Sequence, residues 1–126
     1  MAGTGTGGPR RDASPALTTE ELLRSVPFFR DLDRVSLARL AGALEQVDLP
    51  AGKVVFREGT EAGGLYLLES GEVAVDVGSE GGDVEVATLA GPAHFGELGL
   101  LLARRTATVR SRTDARLWRL PKERFI

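Results

Sequence analysis

The feature that most constrains the fold is a change in hydrophobic period at Lys53, from helical spacing to alternation. Beyond it, short apolar runs recur at roughly ten-residue intervals, separated by turn residues. Val73, Val75 and Val77 alternate with small or polar residues, as in a half-buried strand. This pattern predicts an antiparallel sandwich or jelly roll. The predicted strands are residues 53–57, 65–68, 73–77, 84–89, 107–111 and 116–120, with turn-rich connections at 58–64, 70–71, 78–82 and 91–92.

The first half of the chain has helical signals. A capping box at Thr18 and Glu21 predicts the start of a first helix. Asp31 or Asp33 is expected to cap a second helix, whose apolar positions follow helical spacing as far as Val47. A Pro-Ala-Gly turn then closes the region. These helices are predicted to pack as a small bundle against the β part.

Composition sets the broad class. The chain has 126 residues, a formal net charge of −2 and no cysteine, so one domain without disulfides or thiolate sites is expected. Residues 1–16 are rich in Gly, Thr, Ser and Pro and are predicted to be a disordered tail before a domain at residues 17–126. No apolar run is long enough for a membrane span or a signal peptide. A soluble, cytoplasmic protein without membrane contact is therefore expected.

Residues 94–109 contain the chain's most specific chemistry. Gly96 permits close backbone approach, and the segment from Glu97 to Leu102 is long enough for about one and a half helical turns. The start of a helix favours a bound anion, and Arg105 supplies a planar, permanently charged fork that suits phosphate. The Glu97 carboxylate is suited to accept hydrogen bonds from sugar hydroxyls. The segment is interpreted as a cradle for phosphate and ribose.

Arg105 also has a simpler interpretation. It alternates with Ala107 and Val109, so in a strand it would share their face. If that face is the barrel interior, an unpaired arginine would be costly and would need a carboxylate or a ligand anion. The alternative is that Arg105 pairs with Glu97 or reaches solvent, and the sequence leaves both possibilities open.

Catalysis and metal binding are not predicted. His94 is the only histidine, whereas a metal-dependent enzyme of the cupin type needs several imidazoles. No cysteine exists, and no serine has a plausible histidine–acid pair beyond His94. The sequence therefore predicts no catalytic residue and no metal site, and His94 is expected to lie in a turn.

The carboxyl-terminal part is basic, with eight Lys or Arg residues against two acids in residues 104–124. Arg110 and Arg112 are expected on one solvated strand face, opposite Val109 and Ser111. No helix-turn-helix, zinc finger or aromatic platform accompanies these charges. The segment is therefore not expected to contact nucleic acid directly.

The motifs resemble a known family. Residues 95–101 (FGELGLL) followed by residues 105–109 (RTATV) look like the phosphate-binding cassette of cyclic nucleotide-binding domains. The resemblance extends from about Leu22 to Ile126. It includes, in the family's order, residues 26–29 (VPFF), 50–59 (PAGKVVFREG), 65–73 (LYLLESGEV) and 117–125 (LWRLPKERF).

The resemblance implies a mainly β fold: an eight-stranded antiparallel jelly-roll barrel with flanking amino-terminal helices and a short cassette helix. It implies cAMP or cGMP as the regulatory ligand, with Glu97 accepting from the ribose 2′-hydroxyl and Arg105 pairing with the cyclic phosphate. A hydroxyl at Thr106 is compatible with guanine, so cGMP stays open, although the family favours cAMP. The remaining implied ligand contacts are backbone N–H groups of Gly96, Leu98, Gly99 and Ala107 and a base pocket lined by Ala87 and Leu89.

Two features depart from the family pattern. Arg105 follows Glu97 by eight positions, one fewer than usual, and Arg104 stands where a proline is common. Either arginine is therefore available to face the phosphate, or the loop is too tight for a ligand. The family's closing helix, which covers the base, is expected to be missing after Ile126.

Three functions follow from the resemblance. The leading hypothesis is a regulatory module without catalysis that couples a cyclic nucleotide to a partner or a downstream output domain. The alternatives are a degenerate, non-binding interaction domain of the same fold and the sensor half of a transcription factor of the catabolite-activator type.

Overall fold

The computed structural model of the protein describes residues 17–124. Helix α1 (Thr19–Arg24) begins at the predicted capping box, in which Thr18 Oγ1 accepts from Glu21 N–H and the Glu21 carboxylate accepts from Thr18 N–H. A 3₁₀ turn (Pro27–Phe29) leads to helix α2 (Arg34–Ala43). The predicted tail, residues 1–16, lies outside the described residues.

Two four-stranded antiparallel sheets follow within residues 17–124. The strands are β1 (Glu45–Leu49), β2 (Val54–Phe56), β3 (Gly64–Ser70), β4 (Glu72–Ser79), β5 (Gly82–Ala90), β6 (Ala93–Phe95), β7 (Thr108–Ser111) and β8 (Ala115–Pro121). The strand orders are β1-β8-β3-β6 and β2-β7-β4-β5, so all neighbours except the β4–β5 hairpin are non-consecutive in sequence, as in a jelly roll. The predicted mainly β, antiparallel fold class is confirmed.

The apolar core has two parts, because the sheet containing β3 is covered on both faces. On its outer face, buried residues of α1, the 3₁₀ turn and α2 pack on Leu65, Leu67 and Leu120. On its inner face, between the two sheets, the buried residues include Leu68, Val73, Phe95, Val109 and Leu117. The helical layer thus packs against the β part as predicted.

The second helix is shorter than predicted. Its side-chain cap is Asp33, whose Oδ1 accepts from Ser36 N–H at 2.8 Å, and it ends at Ala43. Val47, predicted to continue the helix, lies instead in β1 and faces Leu117 of β8. In so short a segment, helical spacing and strand alternation are hard to distinguish. Pairing with β8 makes the segment a strand.

Two local predictions were also wrong. Gly78 and Ser79 belong to β4 and Gly82 to β5, so the predicted connection at 78–82 reduces to residues 80–81. Pro121 ends β8 and is followed by a 3₁₀ turn (Lys122–Arg124). His94 lies in β6 instead of a turn, opposite Leu67 of β3.

The basic strand near the carboxyl end has the predicted solvated face. Val109 and Ser111 are buried, and the side chains of Arg110 and Arg112 point to the other face. Arg110 Nε donates to Asp76 at 2.8 Å, and both arginines donate to Glu85. These positive charges are therefore met by carboxylates of the neighbouring strands.

No helix within residues 17–124 is long and apolar enough to cross a membrane, and the longest has ten residues. The cytoplasmic location stays a prediction.

Candidate functional site

The segment between β6 and β7 has the turn and short helix that its sequence predicts. Gly96 has a φ of 98°, in the left-handed region that glycine adopts without strain. Helix α3 (Glu97–Leu102) follows, and Ala103, with a φ of 67°, ends it. Residues 96–107 are called the cassette below.

Arg105 is a buried cation without a carboxylate partner. The residue is 5% exposed. Its Nη1 donates to Gly96 O at 3.0 Å and its Nη2 to Gly64 O at 2.6 Å, while its buried Nε has no hydrogen-bond partner. Within residues 17–124 no acid forms an ion pair with it. The simpler interpretation, pairing with Glu97 or exposure to solvent, is therefore wrong.

An aromatic ring supports the guanidinium of Arg105. Its Cζ lies 4.0 Å from the ring centroid of Phe56 and 5.8 Å from that of Tyr66, within cation–π range. Burial lowers the pKa of Arg105, and the like charge of Arg119 lowers it further, while Tyr66 raises it. Arginine still remains charged at neutral pH. The site therefore holds a permanent positive charge that carbonyl dipoles and a ring stabilise only in part.

Backbone pairing at the end of the cassette determines which arginine turns inward. Arg105 N–H donates to Thr60 O, and Gly59 N–H donates to Arg105 O, both at 2.8 Å. Exposed Arg104 donates from Nη1 to Gly59 O at 2.8 Å. The adjacent side chains point in opposite directions, so the eight-residue spacing still places Arg105 inside.

Glu97 is held by a histidine rather than by an arginine. The His94 Nδ1–H donates to Glu97 Oε2, because an ionised carboxylate can only accept. The side chains are 30% and 23% exposed, respectively. No group of three or more metal-ligating side chains occurs in the described part of the chain. The His94–Glu97 bond orients a carboxylate at the start of the cassette.

Two glycines leave room for Arg105. A Cβ on Gly96 would lie 2.9 Å from Arg105 Nη1. A Cβ on Gly99 would lie 3.2 Å from Arg104 O and from Arg105 Cδ, closer than ordinary van der Waals contact. The predicted close approach at Gly96 is thus an approach to the guanidinium itself.

The other residues predicted to contact the ligand lie on β5 and in the cassette. Ala87 and Leu89 lie on β5, opposite Val75 and Val73 of β4; Leu89 packs on the core between the sheets, and Ala87 is exposed. Of the remaining three, Thr106 is exposed, Ala107 is half-buried and Leu98 lies in α3, with a side chain outside the described atoms.

Sequence reasoning missed three participants. Phe56 is far from Arg105 in the chain, so no local pattern joins them. Gly64 acts through its carbonyl, which no sequence pattern marks. It is the first residue of β3, and a Cβ there would lie 2.5 Å from Leu120 O. His94 was considered only as a metal ligand or turn residue, although its spacing of three from Glu97 was visible.

Comparison with known proteins identifies the family. The cyclic nucleotide-binding domain model matches residues 46–126, nearly all of the β part. The chain therefore belongs to the cyclic nucleotide-binding domain family, as its motifs predicted.

Individual relatives are regulatory proteins. A cAMP-dependent protein kinase regulatory subunit from Emericella nidulans is 35% identical over 84% of this chain and 26% of its own length. The regulatory domain of Toxoplasma gondii PKA, solved with cAMP, has a TM-score of 0.81 and 32% identity, over 86% of this chain and 42% of that one. The N-terminal domain of a Streptomyces coelicolor transcriptional regulator has a TM-score of 0.74 and 30% identity, over 82% of this chain and 76% of that one.

The chain spans about a quarter or less of the length of the curated relatives it matches. At the level of the domain, the prediction of a cyclic nucleotide-binding regulatory module is confirmed.

Proposed function

We propose that this domain binds cAMP in preference to cGMP, with Arg105 holding the cyclic phosphate, and transmits occupancy to an output. The observation that carries the proposal is the uncompensated charge of Arg105. Burying a cation costs free energy unless an anion compensates it. Two carbonyl dipoles and an aromatic ring compensate it only partly, and one donor, Nε, is unused. A phosphate would supply the missing negative charge and accept from the fork.

The sugar is assigned to Glu97 and the base to β5. Glu97 begins α3 and is partly exposed, so its carboxylate can accept from a ribose 2′-hydroxyl. Ala87 and Leu89 lie two residues apart on β5, Leu89 packed against the core between the sheets and Ala87 exposed, and both offer apolar contact to a base. Backbone N–H groups of the cassette at Gly96, Leu98, Gly99 and Ala107 are proposed to complete the phosphate and sugar contacts.

The choice of cAMP follows from similarity. The Emericella nidulans relative is a cAMP-dependent regulatory subunit, and the Toxoplasma gondii domain was solved with cAMP. Thr106 is exposed beside Arg105, and its hydroxyl keeps cGMP as the second ligand to test. Isothermal titration with each nucleotide tests the proposal. Saturable binding with a smaller Kd for cAMP supports it, and a folded chain that binds neither contradicts it.

Glu97→Gln is expected to weaken cAMP binding about three- to tenfold, because a neutral amide accepts more weakly than a carboxylate. The phosphate contact should persist, so binding should remain measurable by titration calorimetry. An exposed control, Glu123→Gln, lies outside the cassette and should leave the Kd unchanged. Unchanged affinity in Glu97→Gln would remove this residue from the ligand site.

Gly99→Ala is expected to weaken cAMP binding about tenfold or more with little change in the stability of the domain. Alanine in α3 gains about 1 kcal/mol in helix propensity, which offsets the crowding of its Cβ at 3.2 Å from Arg104 O, while the same Cβ displaces Arg105 from 3.2 Å. Gly42→Ala in α2 is the matched control, since its Cβ would meet no atom within 4 Å. Titration and thermal unfolding measure the two quantities. Wild-type affinity in Gly99→Ala would mean that the cassette tolerates crowding there.

A degenerate, non-binding domain is the second candidate. It is favoured by the same arginine, because Arg105 already donates to the carbonyls of Gly64 and Gly96. A phosphate must compete with those bonds across a cassette one residue shorter than usual. The non-binding domain is supported if calorimetry detects no binding at millimolar cAMP and cGMP while circular dichroism shows that the domain is folded.

The output is proposed to be a partner protein or a further domain. Coupling requires that the ligand prefer one of two states, typically by about 1–3 kcal/mol. The Streptomyces coelicolor relative, an N-terminal domain of a transcriptional regulator, supports a sensor role in a transcription factor as one form of this output. We place this module in the cytoplasm with its nucleotide ligand.

A further inference from the structure

His94 lies outside the quoted family motif and contacts Glu97 within it. It lies in β6, and its side chain is on the strand face opposite Phe95, which packs into the core between the sheets. Its Nδ1–H donates to Glu97 Oε2 across three residues. Within residues 17–124 this is the only side chain that forms a hydrogen bond or ion pair with Glu97.

The hydrogen bond from His94 restricts the Glu97 carboxylate but leaves it available to a ligand. A carboxylate has two oxygens with about four acceptor sites, so one imidazole donor leaves most of this capacity unused. The Glu97 side chain remains 23% exposed, which gives a ligand access to it. The strand restricts His94 in turn, because β6 pairs with β3 at Leu67. A rigid strand thus orients a glutamate that would otherwise sample several rotamers at the start of a short helix.

We infer that His94 is a positioning residue that sets the discrimination between ribose and 2′-deoxyribose in the bound nucleotide. The inference rests on the proposed function, in which Glu97 accepts from the 2′-hydroxyl. His94 itself need not touch the nucleotide. It holds Glu97 Oε2, so that the free lone pairs of the carboxylate meet the hydroxyl without a further loss of side-chain freedom on binding.

The test is a cycle of two ligands and three proteins. Wild type, His94→Ala and His94→Asn are each titrated with cAMP and with 2′-deoxy-cAMP, which lacks the hydroxyl that Glu97 would bind. His94→Ala should weaken cAMP binding about three- to tenfold and 2′-deoxy-cAMP binding less than about twofold. His94→Asn keeps a donor near the position of Nδ1 and should restore most of the discrimination. Thermal unfolding of each variant checks the fold.

Three results would overturn the inference. Equal losses for both nucleotides in His94→Ala mean that His94 only supports the fold. Tighter cAMP binding in His94→Ala means that the histidine competes with the ribose for Glu97. A folded wild type that binds neither nucleotide removes the proposed function and this inference together, whereas the first two results leave the proposed function standing.

Discussion

Replacing Arg105 with alanine is expected to abolish detectable cyclic nucleotide binding in titration calorimetry. In the proposed complex the guanidinium makes at least two charge-assisted hydrogen bonds to the phosphate, each contributing about 1.5–3 kcal/mol. Their loss corresponds to a decrease in affinity of about a hundredfold or more. The effect is large because the residue is 5% exposed and water substitutes poorly there.

Two variants separate charge from geometry. Arg104→Ala removes an exposed guanidinium that contacts Gly59 O and should bind cAMP nearly as wild type does. Arg105→Lys keeps the charge but lacks the planar fork that lies over Phe56, so its affinity should fall between those of wild type and Arg105→Ala. If Arg105→Ala binds normally and Arg104→Ala does not, the exposed arginine is the phosphate ligand.

The contacts of Arg105 bear on the proposed anion site. Its donors bond to Gly96 O and Gly64 O, one on the cassette and one on β3. These bonds fix the fork over Phe56, which lowers the ordering cost of binding an anion. In the proposed complex the phosphate either takes over one of these bonds or uses the remaining N–H groups of the guanidinium, Nε–H among them. Such an exchange would connect occupancy to the contact between cassette and β3.

The sequence is sufficient to predict most of the architecture, because the signals involved are local. The alternation of Val73, Val75 and Val77 and the capping box at Thr18 act over a few residues, and the predicted strand and helix start both occur in the structure. The strand is not half-buried as predicted, because Ala74 and Asp76 on its other face are buried as well. Val47 was misassigned because its environment is set by β8, about seventy residues away. A local sequence pattern contains no information about a strand partner that is so far away in the chain.

The same distinction between local and long-range signals applies to the candidate site. Glycine, glutamate and arginine at cassette spacing predicted the residues, but not the direction of each side chain. The choice between Arg104 and Arg105 depends on backbone bonds to Gly59 and Thr60, which a sequence pattern does not contain. The His94–Glu97 bond was within reach of sequence reasoning and was missed because the histidine was tested only as a metal ligand.

Gly96→Ala is expected to lower cAMP affinity at least tenfold and to destabilise the free domain. Its φ of 98° costs an alanine about 1–2 kcal/mol, and the new Cβ would lie 2.9 Å from Arg105 Nη1. The end of a long side chain can move away at little cost in stability. In this site, however, such a movement displaces the group proposed to bind phosphate, so the loss should be larger in affinity than in folding.

Gly52→Ala distinguishes backbone strain from displacement of the arginine. Gly52 has a φ of 86°, so alanine there has a similar backbone cost, but its Cβ would meet no atom within 4 Å. Both variants should therefore unfold at lower denaturant concentration, while Gly52→Ala keeps its Kd for cAMP within about twofold. Equal loss of affinity in the two would attribute the effect to general destabilisation. Wild-type affinity in Gly96→Ala would mean that the fork binds phosphate equally well from a shifted position.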